Sequence, residues 1–231
     1  MDERAFRLAF RHFSSGLCRF RRIAYHRRVT PLGWLAAVVL FLQLPIPLYW
    51  FVVHPQIDFW RRHGKAGYIT GLLCSWPPVS ACLFVFRRQL FRTDWPSAWA
   101  VTAGLALIIF EGWLFWRLTR DLGADRLVGK TEMSGDGTIA SGGIYARIRH
   151  PRYAGSFLAI VGACLLAAKP ALWAVAAVWA ALMRLAIYFE EREMRRRFGP
   201  AFEEYARRVP RFLPRLGPRL GRGGKAAAPA P

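Results

Sequence analysis

The sequence predicts an all-α protein, a polytopic transmembrane helical bundle of about five spans, and three observations carry that expectation. First, 54% of the 231 residues are apolar and ten are tryptophan, yet the formal net charge is +20. A soluble globule does not readily combine these. They agree if the apolar residues fall in long runs with the charges between them, and runs of about 17–25 residues are long enough to cross a bilayer core. Second, arginines crowd against the ends of those runs: Arg21, Arg22, Arg27 and Arg28 before the first, Arg87 and Arg88 after the second. Such placement suits segments that flank a membrane and face the cytoplasm and its anionic lipids. Third, Trp34, Trp50, Trp95, Trp113 and Trp116 lie near run ends, as an interfacial aromatic belt requires. The basic excess has a rival reading as a nucleic-acid surface. No zinc finger, RNA-binding signature or continuous basic recognition helix accompanies it, so anionic membrane lipids are the expected partners and nucleic acid is not.

Residues 1–30 form a basic arm with eight arginines. Phe6, Phe10, Phe13 and Leu17 recur at helical spacing, which fits an amphipathic helix lying on the membrane surface; a disordered basic arm fits equally. No short apolar run with a small-residue cleavage site follows, so it does not read as a signal peptide. Three spans are expected within residues 31–116: about 31–53, kinked or broken at Pro45 and Pro47; 66–86, with Pro77 and Pro78 near its middle; and 95–116. Residues 117–214 form a second unit. It opens with a polar stretch whose glycines (Gly129, Gly135, Gly137, Gly142, Gly143) argue for a shaped loop. Spans at 153–168 and 170–189 follow, joined through Lys169-Pro170 as a tight hairpin. A charged helix, EEREMRRRFGPAFEEYARRV, comes next. Residues 215–231 read as a disordered tail.

Five spans place the two arginine-rich termini on opposite sides. About 12 basic residues then lie on the side of the N-terminal arm and about 21 on the side of the C-terminal segment. The count favours a cytoplasmic C-terminus. A re-entrant first span would bring both ends to the cytoplasm. The four cysteines, Cys18, Cys74, Cys82 and Cys164, are scattered and suit neither a disulfide framework nor a zinc site. Oligomeric state is not legible in the sequence.

The stretch with most chemistry is GTIASGGIYARIRHPRYAG, residues 137–155. Pro151 at a first helical position makes His150 the N-cap of the next span. That end offers unpaired backbone N–H groups and a positive dipole, which favour a carboxylate. Tyr153 lies one turn on, on the same face. Glu190 and Glu191 close the following span, and the short hairpin turn returns them to the His150 end, where they suit an ammonium group. A carboxylate site beside an ammonium site matches the two ends of an amino acid, and S-adenosylmethionine carries such an end.

The two blocks occur in order. The first is Gly143, Tyr145, Arg149-His150-Pro151, Tyr153 and Gly155. The second, about 35 residues on, is Glu190-Glu191, Met194 and Phe198-Gly199, followed by Tyr205, Val209-Pro210 and Pro214. Over about residues 130–214 this resembles the isoprenylcysteine carboxyl methyltransferase and phospholipid methyltransferase superfamily, integral membrane enzymes that use S-adenosylmethionine. The resemblance implies a C-terminal, cytoplasmic cofactor-binding segment. Gly137, Thr138, Ile139 and Ala140 fall where the family wraps the adenosine through its backbone, with Lys130 at an upstream contact. Tyr145, His150, Pro151, Arg152 and Tyr153 fall on cofactor-contacting positions. Glu190 aligns with the glutamate that holds the methionine amino group, and Glu191 is close enough to share that assignment. The family engages its acceptor through an arginine on the last span; Ala186 stands at that place here, and Arg184 is the nearest arginine.

The candidate catalytic residues are therefore Arg184, Tyr153 and Glu191. An arginine within an apolar span marks a functional site by default, although Arg184 also suits snorkelling to the surface or pairing with Glu191. Tyr153, His150 or Glu191 would take the proton that an amine acceptor loses; a carboxylate acceptor loses none. Glu111, inside the third span, would line the acceptor cavity or pair with Arg117. The expected acceptor is a lipophilic small molecule from the bilayer, an isoprenylcysteine-type carboxylate or a lipid amine. Two rivals stand: a sterol-reductase-like membrane enzyme that binds NADPH, whose second block carries arginine and aspartate in place of Glu190-Glu191, and a non-catalytic membrane protein.

Overall fold

A computed structural model describes residues 29–63, 65–91, 95–127 and 138–214. The N-terminal arm to residue 28 and the tail from 215 lie outside the described residues, as do Lys130 and Gly137. Among the described residues the regular elements are helices. They are α1 (Pro31–Gln43), α2 (Ile46–Val53), a 3-10 turn (His54–Gln56), α3 (Ile57–His63), α4 (Lys65–Val85), α5 (Arg87–Phe91), α6 (Ala98–Leu122), α7 (Ala124–Leu127), a 3-10 turn (Gly143–Ala146), α8 (Pro151–Ala167), α9 (Pro170–Phe198) and α10 (Pro200–Arg208).

Four stretches are long and apolar enough to cross a bilayer: Pro31–His63, Ala66–Val85, Ala98–Leu122 and Pro170–Phe198. The protein is an integral membrane protein. The first stretch is kinked rather than folded back. Leu44 and Pro45 both keep right-handed helical backbone angles, and the Tyr49 N–H donates to the Pro45 carbonyl at 3.0 Å. The prolines remove two amide donors without reversing the chain.

The fourth expected span, α8, differs from the other four. It has 17 residues, 11 of them buried, and rises only about 26 Å against a core of about 30 Å. Helices α1, α6 and α9 pack around it, α6 most extensively. Glycines allow that approach: a Cβ on Gly104 of α6 would lie 2.9 Å from the Gly162 carbonyl oxygen, and one on Gly162 would lie 2.7 Å from the Gly104 carbonyl oxygen. Small residues at membrane helix crossings let backbones meet in this way.

The hairpin turn is as tight as its sequence requires. Ala168 caps α8 in a left-handed conformation (φ 50°), and Pro170 starts α9 after Lys169. Helix α9 then continues through the first half of the charged stretch and stops at Gly199 (φ 51°), with Pro200 opening α10. A left-handed residue followed by proline ends one helix and starts the next. Of the tryptophans near run ends, Trp34, Trp95, Trp113 and Trp116 are exposed. Trp50 differs: it is buried, stacked on His54 with ring centroids 4.7 Å apart.

Candidate functional site

The hairpin returns the end of α9 to the start of α8. His150 occupies the N-cap position, yet its side chain makes no capping bond. The ring instead reaches across to α9. Its Nε2 lies 3.2 Å from Glu191 Oε1, and its Nδ1 lies 3.9 Å from Glu190 Oε1. Tyr153, one turn on, stacks against the imidazole at 5.6 Å and donates its hydroxyl to Glu190 Oε2 at 2.8 Å. Histidine, tyrosine and the twin acids thus share one end of the hairpin.

The two acids differ sharply. Glu191 is 1% exposed and surrounded by cations. Arg149 approaches its Oε1 through Nη2 at 2.9 Å, and Arg211 approaches its Oε2 through Nη2 at 2.6 Å. Arg195 adds a contact at 3.5 Å. The carboxylate beside it raises the Arg211 pKa above its ordinary value. Arg149 also donates to the carbonyls of Ala206, at 2.7 Å, and Val209. Backbone bonds run alongside: Arg149 N–H to the Pro210 carbonyl at 2.8 Å and His150 N–H to the Arg211 carbonyl at 3.0 Å. Glu191 therefore ties the C-terminal segment to the Arg149-His150 step.

A polar cavity opens beside these groups. It is lined by Trp50, Leu122, Arg126, Leu127, Ile139, Ala140, Tyr145, Arg149, His150, Arg152, Tyr153, Glu190, Glu191, Met194, Phe202 and Tyr205. Of the residues expected from sequence, Ile139, Ala140, Tyr145, His150, Arg152, Tyr153, Glu190 and Glu191 line it. Thr138 is exposed and accepts from Arg126 through its carbonyl, and Pro151 is buried behind the wall. Trp50, Leu122, Arg126, Leu127 and Phe202 were not expected. Phe202 and Tyr205 stand at i, i+3 on an amphipathic helix, a spacing that would have flagged both; the other four come from distant elements and carry no local signal. Tyr205 donates to the Tyr145 carbonyl at 2.8 Å, and burial pushes its hydroxyl up to about 12.

Arg152 is held from the membrane side. Glu111 Oε1 accepts from it at 3.0 Å and from the Gln43 amide at 3.3 Å, and Ser156 Oγ accepts from Arg152 at 2.8 Å. Arg117 pairs instead with Asp121 at 3.3 Å. Neither expectation for Glu111 describes this arrangement: it is absent from the lining of the apolar cavity described next, and its cation is Arg152.

A second cavity of about 660 Å³ lies on the other side of Tyr153. Its walls are apolar, with Phe110, Trp113, Phe157, Trp179 and Phe212 among them, and Arg184 is the one charged residue among the described residues that line it. Arg184 and Tyr188 are exposed while Glu191 is buried, so the helical face they share passes through two environments. Tyr153 borders both cavities.

Comparison with known proteins agrees with this architecture. Residues 99–201 match the family model for phospholipid methyltransferases. A nickel-cobalt-cadmium resistance protein, NccN, of Alcaligenes xylosoxydans xylosoxydans is 38% identical over 172 residues, 74% of this chain and 70% of that one. Protein-S-isoprenylcysteine O-methyltransferase of Rattus norvegicus is 32% identical over 162 residues, 69% of this chain and 55% of the rat protein. Methanethiol S-methyltransferase 2 of Bradyrhizobium diazoefficiens is 36% identical over 86 residues, 37% of this chain and 32% of that one. No solved structure matches. With the RHPxY and Glu-Glu blocks folded onto one hairpin end, the chain belongs to the phospholipid methyltransferase family of membrane proteins.

Proposed function

We propose that the protein transfers a methyl group from S-adenosylmethionine to a lipophilic acceptor that arrives through the bilayer. The observation that carries this reading is Tyr153, which stands between a polar cavity and a large apolar one. The residues present fit the donor. Glu190 accepts from Tyr153 at one oxygen, and its other oxygen, 3.9 Å from His150 Nδ1 and so beyond hydrogen-bond distance, would take an ammonium group. The α8 N-terminus and His150 suit a carboxylate. Ile139, Met194, Phe202 and Tyr205 supply an apolar and aromatic surface for the nucleoside. Arg149, Arg195 and Arg211 already compensate Glu191, so its part is to fix His150 and the C-terminal segment rather than to take the ligand.

When bound, the donor supplies a methyl group on a sulfonium, and a neutral thioether leaves as the methyl moves to the acceptor. The protein's contribution is to align donor and acceptor and to exclude water between them. Tyr153 holds its hydroxyl on Glu190 and its ring at the junction of the two cavities. Arg184 gives the apolar cavity a cationic end, which suits an acceptor with an anionic head, such as a carboxylate. A carboxylate takes the methyl without losing a proton. A thiol or amine acceptor loses one: Tyr153 would take it while passing its own hydroxyl proton to Glu190, or His150 would take it on a ring nitrogen. The arginine-rich end of α9 and α10 faces the cytoplasm in this reading, with anionic headgroups as its neighbours.

Calorimetry in detergent tests the site. Wild-type protein is expected to bind S-adenosylmethionine, and His150→Ala and Glu190→Ala are each expected to abolish binding. Unchanged binding in both variants removes the assignment. A rise in melting temperature with NADPH and none with S-adenosylmethionine would move the protein to the reductase class.

A further inference from the structure

We propose that Trp50 is a binding and specificity residue for the cationic methyl donor, presenting its indole to the sulfonium so that the site prefers the charged donor to its neutral thioether product. The inference rests on the reading of the polar cavity given above and concerns a residue of α2, outside the segment that matches the family model.

Trp50 is 7% exposed and lines the polar cavity together with His150, Tyr153 and Glu190. One side of its ring is covered by His54, nearly parallel at 20° with centroids 4.7 Å apart. Tyr49 meets it edge-on at 4.9 Å and 76°. Tryptophan is the strongest of the aromatic partners for a cation, effective within about 6 Å of the ring. Tyr153, the aromatic residue that faces both cavities, has its ring stacked on His150 and its hydroxyl engaged by Glu190.

His54 completes the argument. It is buried, and among the described residues neither Nδ1 nor Nε2 has a hydrogen-bond partner. A protonated imidazole there would bury a charge and two donors with nothing to receive them, which is expensive. The ring behind Trp50 is accordingly neutral, so the imidazole stacked on the indole adds no charge of its own there; Arg61 is the cation that acts on His54. The charged group that distinguishes donor from product is the sulfonium, and among the aromatic rings that line this cavity (Trp50, Tyr145, Tyr153, Phe202 and Tyr205) the indole is the strongest partner for a cation.

Full-length protein in detergent is titrated calorimetrically with S-adenosylmethionine and with S-adenosylhomocysteine, for wild type, Trp50→Leu and Trp50→Phe. Trp50→Leu is expected to weaken donor binding about thirtyfold, a desolvated cation–π contact converted at tenfold per 1.4 kcal/mol, and to leave product binding within about twofold. Trp50→Phe, which keeps the stacking on His54, is expected to shift the donor-to-product ratio by about threefold. An unchanged ratio in Trp50→Phe, or equal losses for both ligands in Trp50→Leu, overturns the role of Trp50. Wild-type protein that binds neither compound overturns the reading of the cavity itself, and the proposal with it.

Discussion

Replacing Glu191 by alanine separates a residue that builds the site from one that fills it. Its carboxylate is 1% exposed and sits 2.9 Å from Arg149, whose side chain is 9% exposed. Removing one partner of a buried ion pair strands the other, at about 3–5 kcal/mol. Arg149 keeps the carbonyls of Ala206 and Val209, which places the cost near the lower end, about 3 kcal/mol. Arg211 and Arg195 are each 43% exposed and add little, because solvent screens them. For a domain of this size about 3 kcal/mol corresponds to a fall in melting temperature of about 6–12 °C. Thermal unfolding in detergent, followed by tryptophan emission, measures it. Glu190→Ala is the comparison: its side chain is 21% exposed and its loss strands the Tyr153 hydroxyl, at about 1 kcal/mol, so the melting temperature should fall by only about 2–4 °C. A Glu191→Ala protein that melts like wild type, yet has lost the donor, would refute the reasoning and make Glu191 a ligand-binding acid.

The polar cavity lies among the start of α8, the end of α9 and α10. One of its walls, formed by Leu122, Arg126, Leu127, Ile139 and Ala140, is expected to respond to binding; hydrogen exchange should change at residues 122–127 and 138–140 while the Gly104–Gly162 crossing stays constant, and a uniform response along the chain would exclude it. Tyr205→Phe removes the bond to the Tyr145 carbonyl and should cost about 1 kcal/mol. The Tyr205 hydroxyl is raised in the fold from 10 to about 12. Its contribution is therefore complete below pH 10 and is lost as pH rises toward 12. Wild type should lose stability over that interval, and Tyr205→Phe should lose less of it; identical alkaline transitions in the two proteins would remove Tyr205 from the account.

What the sequence discloses depends on how far apart the cooperating residues lie. The hairpin was legible because Pro151, the Lys169-Pro170 step and the apolar runs around it are local signals, and a two-residue turn leaves the returning helix little freedom of direction. His150, Tyr153 and Glu190 converge for that reason alone. Trp50 was read as an interfacial anchor because position in a run says how deep a residue sits, not whether another helix covers it. Helix α8 was expected to span like the others; its 17 residues are short, and packing on α1, α6 and α9 buries it. The partner of Glu111 was misread for a related reason. Arg117 is nearby in sequence, but Arg152 arrives from α8, and only the α6–α8 crossing decides between them.

The difference in length between α8 and α9 has a consequence for chemistry that mixes water-soluble and lipid-soluble reactants. Starting from a common turn, α8 rises about 26 Å and α9 about 44 Å. In a core of about 30 Å the first stops short of the surface and the second passes it. With the turn at one membrane surface, the α8 N-terminus would lie recessed beneath the charged end of α9, which α10 follows after Gly199. In the proposed reaction a donor entering from water would meet Glu190 and His150 at the floor of that recess, and an acceptor from the bilayer would reach the same depth through the apolar cavity beside Arg184. The salt bridge from Arg61 to Glu193, 2.6 Å long, and the bonds from Arg149 and His150 to residues 209–211 hold the recess on two sides. Those supports lie partly outside residues 99–201, so the matching segment supplies the recess and the rest of the chain closes it.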